Sequence, residues 1–190
     1  MFSLRSLRNA ALLSLVVSGV AAAQSGLLSN TATVTINASK VASLTVTVNS
    51  GGTQTLASLT DGAVNNFATP VNITTAWDIN PSAAAVVLVG YFGTPAQALA
   101  NGTNYITSSL MKGRLGIAGA FNPFTGGVVN GGASSVGVAG GTLQLFSQAI
   151  TGANRNSNRT DDLYLQIDLT GQTTVPGTYA GTLNLRAITQ

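Results

Sequence analysis

Asp61, Asp78, Asp161, Asp162 and Asp168 are the only side-chain carboxylates in this chain of 190 residues, which has no Glu, no His and no Cys. That inventory excludes His- or Cys-ligated metal centres, Cys nucleophiles, disulfide frameworks and His-based triads. Glycoside hydrolysis needs two carboxyl groups about 5–10 Å apart. Asp161 and Asp162 are neighbours at the start of a strand, so their side chains point to opposite faces. Asp78 alternates outward where Trp77 alternates inward. A Ser nucleophile would need Lys40 or Lys112 as its base, and only Ser109-Leu110-Met111-Lys112 has the Ser-x-x-Lys spacing. No companion motif joins it, and it reads as an exposed strand start.

Asn154, Asn156, Asn158, Asp161 and Asp162 offer oxygens of the type Ca²⁺ prefers, but Arg155 and Arg159 interleave with them and repel a divalent ion. Thr151 to Thr160 reads instead as a solvated polar loop in which Asp161 or Asp162 pairs with an arginine, a surface contact worth about 0–1 kcal/mol. No catalytic, cofactor-binding or metal-binding residue is assigned, no cofactor is implied, and the chain reads as a non-enzyme.

Residues that do no chemistry must serve a framework, and the composition describes it. Only 7% of residues are charged while 45% are hydrophobic, against about a quarter charged in ordinary domains. Thr, Ser, Asn, Gln and Gly must therefore wet the surface. Met1 to Asn9 carries Arg5 and Arg8, and an apolar run follows from Ala10 to Ala22. A charged start, a short apolar centre and a small-residue exit make residues 1–23 a signal peptide cleaved after Ala23. The run is shorter than the ~20 apolar residues of a spanning helix. A single domain, 24–190, remains. Its six bases and five acids leave a net charge of +1 with no basic stripe, so nucleic acid is not an expected partner. No Cys follows the cleavage site to take a lipid, and the absence of Cys from an exported chain points to a bacterial source.

The mature sequence has period two wherever it is ordered. Ala32, Val34 and Ile36 alternate with Thr31, Thr33 and Thr35, predicting a first strand near the mature N-terminus. Ala42, Leu44, Val46 and Val48 alternate next, up to Ser50-Gly51-Gly52. Val71, Ile73, Thr75, Trp77 and Ile79 share one face of a strand ended by Pro81. Trp77 is placed in the core, where burying its ring supplies about 2–3 kcal/mol or more. The continuous apolar run Ala83 to Phe92 predicts a central strand covered on both faces. Ala96 to Ala100 fits one helical turn, with Thr94 as cap and Pro95 at the first position.

Residues 101–140 are rich in Gly and Asn and read as hairpins and surface loops, with short strands at Tyr105–Ser108 and Leu110–Ile117. Leu143 to Ile150 is a strand. Leu163, Leu165, Ile167 and Leu169 face inward on the next, with Tyr164, Gln166 and Asp168 outside. Leu183, Leu185 and Ala187 share a face of the last. Turns recurring along a period-two chain specify an all-β fold, a single antiparallel β-sandwich of Ig-like or pilin-like type. A membrane barrel is disfavoured, because 6% aromatic residues cannot furnish two girdles and the chain ends Ile188-Thr189-Gln190.

The closing stretch Thr174-Val175-Pro176-Gly177-Thr178-Tyr179-Ala180-Gly181-Thr182-Leu183-Asn184-Leu185 resembles the ending of exported bacterial β-sandwich proteins of the spore-coat-U and pilin-like type. Pro-Gly turns the chain, Tyr179 anchors the corner, and Gly181 admits a neighbouring backbone. Trp77–Phe92 and Leu143–Leu169 are similar to segments of uncharacterised exported proteins of environmental bacteria. The resemblance implies a sandwich whose edge can accept a strand from a neighbouring subunit, with Ala32, Val34 and Ile36 as the strand donated. These residues otherwise form the domain's own first strand.

The expected function is that of a secreted or cell-surface structural protein, an appendage or coat subunit, with the periplasm as the alternative location. Its expected partner is another copy or a surface partner met through an edge strand. The alternative is an extracellular module that binds carbohydrate or another surface ligand through loops in 101–140 and 151–160.

Overall fold

Alternation of apolar and polar residues builds strands that are buried on one face, and such strands are stable only when two sheets close over each other. A computed structural model describes residues 28–80 and 82–190. The expected signal peptide, 1–23, and Pro81 lie outside the described residues. Residues up to Lys40 and residues from Val41 onward form separate units. Of the first, the described part, 28–40, carries no regular secondary structure and is exposed throughout.

The described residues of the second unit form thirteen strands in chain order: β1 Ser43–Ser50, β2 Val64–Asn66, β3 Val71–Asp78, β4 Ala85–Phe92, β5 Leu99–Asn101, β6 Asn104–Ile106, β7 Met111–Leu115, β8 Asn122–Pro123, β9 Val129–Gly131, β10 Ser134–Val136, β11 Thr142–Ala149, β12 Asn156–Asp168 and β13 Leu183–Thr189. The larger sheet has the order β1-β3-β12-β7-β8, and β2 continues the line of β3 along the far end of β12. The second sheet has the order β11-β4-β13. All pairings are antiparallel. The sheets end at free edges and do not close into a barrel, so the all-β, sandwich-like architecture read from the sequence stands.

The core lies between the sheets. Val71, Ile73, Trp77, Leu163, Leu165 and Ile167 of the larger sheet pack against Val86, Leu88, Phe92 and Phe146 of the smaller. Trp77 is only 4% exposed, and its indole Nε1 donates to the Asn154 carbonyl at 2.7 Å, so the one polar atom of the ring keeps a partner. β4 is buried on both faces, as its unbroken apolar run requires. Val86, Leu88 and Phe92 face the main core, while Val87 and Val89 face a second cluster with Val129, Val136 and Ile188. The β9–β10 hairpin supplies that outer cover.

Four expectations need correction. Thr31–Asn37 forms no strand, and the domain's first strand is β1. The polar loop expected over Thr151–Thr160 is confined to residues 151–155, since β12 begins at Asn156. Pairing with β3 over Asn156–Leu163 recruits these polar residues, because a sheet's outer face tolerates them. The turn after Thr94 is a 3-10 turn over Pro95–Gln97 with Pro at its start and no side-chain cap. Residues 101–140 are also less superficial than their Gly content suggests. Phe124 is fully buried and meets Phe92 edge-on, with centroids 5.2 Å apart. Gly90 and Gly113 make room for that ring, since a Cβ on either would lie 3.1–3.2 Å from it.

The break in alternation at Leu145-Phe146 has a local cause. The register of β11 against β4 shifts between Gln144 and Phe146. This bulge lets two successive apolar residues contribute to the core.

Candidate functional site

Each acidic side chain singled out in the sequence is engaged in structure. Asp161 lies on the inner face of β12 and accepts from two of the Arg159 nitrogens, Nε at 2.7 Å and Nη2 at 2.6 Å. The Arg159 guanidinium stacks 4.0 Å above the Phe146 ring, so the pair caps one end of the core. Asp162 lies on the outer face and accepts from Asn72 Nδ2 at 2.6 Å. The two neighbours therefore point apart, and the arginine expected to partner one of them is Arg159. Asp61 accepts the backbone N–H and the hydroxyl of Thr174, tying two loops together. Asp78 accepts from Asn156.

Lys112 Nζ lies 2.6 Å from Asp168 on the outer face, while Ser109 shares a hydrogen bond with Thr107. The Ser-x-x-Lys spacing thus builds an ion pair. The Lys112 ammonium, seconded by Thr170, holds the Asp168 carboxyl well below the usual carboxylate range. Asn154 shapes the 151–155 loop through Thr151 N and the Ala149 carbonyl. Asn156 and Asn158 extend along the outer face of β12, opposite Asp78 and Ala76. Among the described residues no group of three or more acidic side chains gathers to hold a metal. None of their helices is long and apolar enough to cross a membrane.

Two features leave apolar surface incompletely covered. The first is an open flank. β1 and β13 are edge strands, one of each sheet. The inward residues of β1, Leu44 and Val46, are only half-buried, and Val48 is 44% exposed. Leu183, Leu185 and Ala187 of β13 are likewise half-buried. Between these edges lies a cleft of about 570 Å³ lined by Val48, Leu56, Val71, Leu165, Leu183 and Leu185, among others. One wall is the stretch 177–183. There Tyr179 donates its hydroxyl to the Val175 carbonyl at 3.1 Å, anchoring the corner as its position after Pro-Gly suggested. Sequence alternation placed the side chains of β1 and β13 correctly but carried no signal that their shared flank would stay uncovered.

The second is the segment before β1. Leu28 is 95% exposed, Val34 83% and Ile36 86%. Apolar residues usually stay exposed singly; here Ala32, Val34 and Ile36 recur at alternate positions with threonines between them, the pattern of a strand that lacks a sheet.

The outer face of the larger sheet is a separate polar surface. Asn49 donates to Asn72 and Thr74, and Thr74 bonds Thr160, so a hydrogen-bonded row crosses β1, β3 and β12. It runs toward a stack in which the Arg114 guanidinium sits 4.4 Å from the Phe121 ring centroid and 5.6 Å from that of Tyr164. Within the loops expected to bind ligand, 129–136 covers β4 and 156–160 lies within β12, whereas Arg114 and Phe121 of the 101–140 stretch reach the outer surface in this stack.

Comparisons with protein-family models, with curated proteins and with solved structures return no match to this chain.

Proposed function

We propose that this protein is an exported, non-enzymatic structural component of the cell surface that associates with its own copies by strand addition. The observation that carries the reading is the alternating segment Thr31–Asn37, exposed and outside any strand. Its proposed acceptor is the open flank between β1 and β13 of a second copy. An added strand there would satisfy edge N–H and C=O groups and cover half-buried Leu44, Val46, Leu183 and Leu185 with Val34 and Ile36. Export is supported by the charged and apolar N-terminal pattern of residues 1–23. The final location is the cell surface or medium, with the periplasm as the alternative.

Sedimentation velocity over a concentration series tests this. The mature chain forms concentration-dependent larger species, and deletion of 31–37 returns it to a monomer. A mature chain that stays monomeric throughout refutes the reading.

A second reading, a module binding carbohydrate or another surface ligand, is favoured by the Tyr164–Arg114–Phe121 stack beside the polar row of Asn72, Thr74 and Asp162. Aromatic faces next to convergent hydrogen-bonding groups suit a sugar ring. Glycan titration followed by tyrosine emission tests it, with Tyr164→Ala abolishing the response. Trp77, being buried, is not the reporter. A flat signal across a broad glycan panel removes this reading.

A further inference from the structure

We infer that Asn101 is a site of spontaneous covalent modification, converting to isoaspartate or aspartate in the folded protein, while the chain's other Asn-Gly pair, Asn130-Gly131, is protected. In this reaction the backbone nitrogen of the following glycine attacks the Asn side-chain carbonyl carbon. The new N–Cγ bond forms as the Cγ–Nδ2 bond breaks, and the amide nitrogen departs as ammonia with the glycine's proton. Water then opens the five-membered imide at either carbonyl, giving aspartate or isoaspartate. Water is the only co-reactant. The attacking N–H must be free to turn and lose its proton, and this condition separates the two sites.

Asn101 closes the β5–β6 hairpin, paired with Asn104 across the two-residue turn Gly102-Thr103. Gly102 has φ 60°, and no non-glycine residue among those described has positive φ, so this is the primed turn with glycine first. The Gly102 N–H stands at the turn apex, outside the ladder, and donates to no acceptor among the described residues. A Cβ on Gly102 would meet nothing within 4 Å, so the backbone there has space to rotate.

Gly131 differs in each respect. It is the last residue of β9, paired with Ser134 next to the Gly132-Ala133 turn, where the pair flanking a two-residue turn exchanges both ladder hydrogen bonds. A Cβ on Gly131 would collide with the Thr189 carbonyl oxygen and with the Ile188 side chain. Attack by Gly131 N would require lifting the hairpin off β13.

The conversion at Asn101 acts on its surroundings. Asn101 Nδ2 donates to the Pro176 carbonyl at 3.5 Å, and the side chain lies against Gly177, where a Cβ would collide with Nδ2. The adjacent Ala100 exchanges both backbone hydrogen bonds with Ala180, at 2.8 and 3.0 Å. Isoaspartate lengthens the backbone by a methylene next to that bridge and sets a carboxylate against the Pro176 carbonyl. Ageing at Asn101 therefore loosens the stretch 176–181, one wall of the cleft.

The test is peptide mapping by mass spectrometry of the folded mature protein held in mildly alkaline buffer, with a parallel sample in concentrated urea. In the folded sample the Asn101 peptide gains about one dalton and becomes a substrate for isoaspartate methyltransferase. Asn130 reacts at least about tenfold more slowly, the factor that about 1.4 kcal/mol of protection confers. In urea both sites react at similar rates. Proteolysis of the aged folded protein falls first within 172–182. Equal rates at both sites in the folded protein, or an Asn101 that reacts only in urea, overturn the inference.

Discussion

Replacing Val34 and Ile36 together by Ser removes the apolar anchors of the segment before β1 and leaves its backbone able to extend. Both side chains are more than four-fifths exposed, so nearly all of their burial energy is available to an intermolecular contact. Burying a Val or Ile side chain is worth about 1.5–3 kcal/mol, giving about 3–5 kcal/mol for the pair after allowing for the share already covered. At about 1.4 kcal/mol per tenfold, the double variant associates about two to three and a half orders of magnitude more weakly. The monomer keeps its stability within about 0.5 kcal/mol, as for substitutions at exposed sites. Sedimentation equilibrium gives the association constant, and urea unfolding of the dilute monomer gives the stability. An unchanged association constant refutes strand addition by this segment. Equal losses of association and monomer stability would show that Val34 and Ile36 belong to the domain's own core.

Other perturbations test individual contacts. Trp77→Phe loses the bond to the Asn154 carbonyl and part of a buried ring, and lowers unfolding free energy by about 1–3 kcal/mol in urea titration. Gly131→Ala forces a Cβ against the Thr189 carbonyl and Ile188, and amide exchange accelerates in β9, β10 and β13 before the rest of the molecule. Because Lys112 depresses the Asp168 carboxyl, the pair stabilises the fold at neutral pH. Its contribution fades as pH falls from about 4 through the lower native value. Lys112→Met brings the Asp168 titration, followed by carboxyl NMR, back toward the ordinary range and flattens that part of the acid unfolding curve. Tyr179→Phe removes the hydroxyl bond to Val175 and costs about 1 kcal/mol, read as a lower urea midpoint.

Much of this molecule was fixed locally. Alternation at Val71–Ile79 and Leu163–Leu169 decided which side chains enter the core, because a strand's side chains change face at every residue. The unbroken run Ala85–Phe92 required cover on both sides, and neighbouring Asp161 and Asp162 were bound to diverge. Thr31–Asn37 carries the same alternation as those strands and yet joins no sheet. Period two says that a segment can pair, and long-range packing decides whether it does.

What pairs across the chain was not written in any window of it. Asn156 to Thr160 reads as a polar loop, yet β3 supplied an edge that made it strand. Phe124, surrounded by Gly, Asn and Pro, gave no sign of core until Gly90 and Gly113, distant in sequence, left a ring-sized space between the sheets. An all-β chain, the inward residues of its strands and a side-chain inventory without His, Cys or Glu all follow from local pattern and composition. Which edges remain open emerges in the folded molecule alone, because strand order, and with it the partly covered flank between β1 and β13, is set by long-range packing and leaves no local periodic signature.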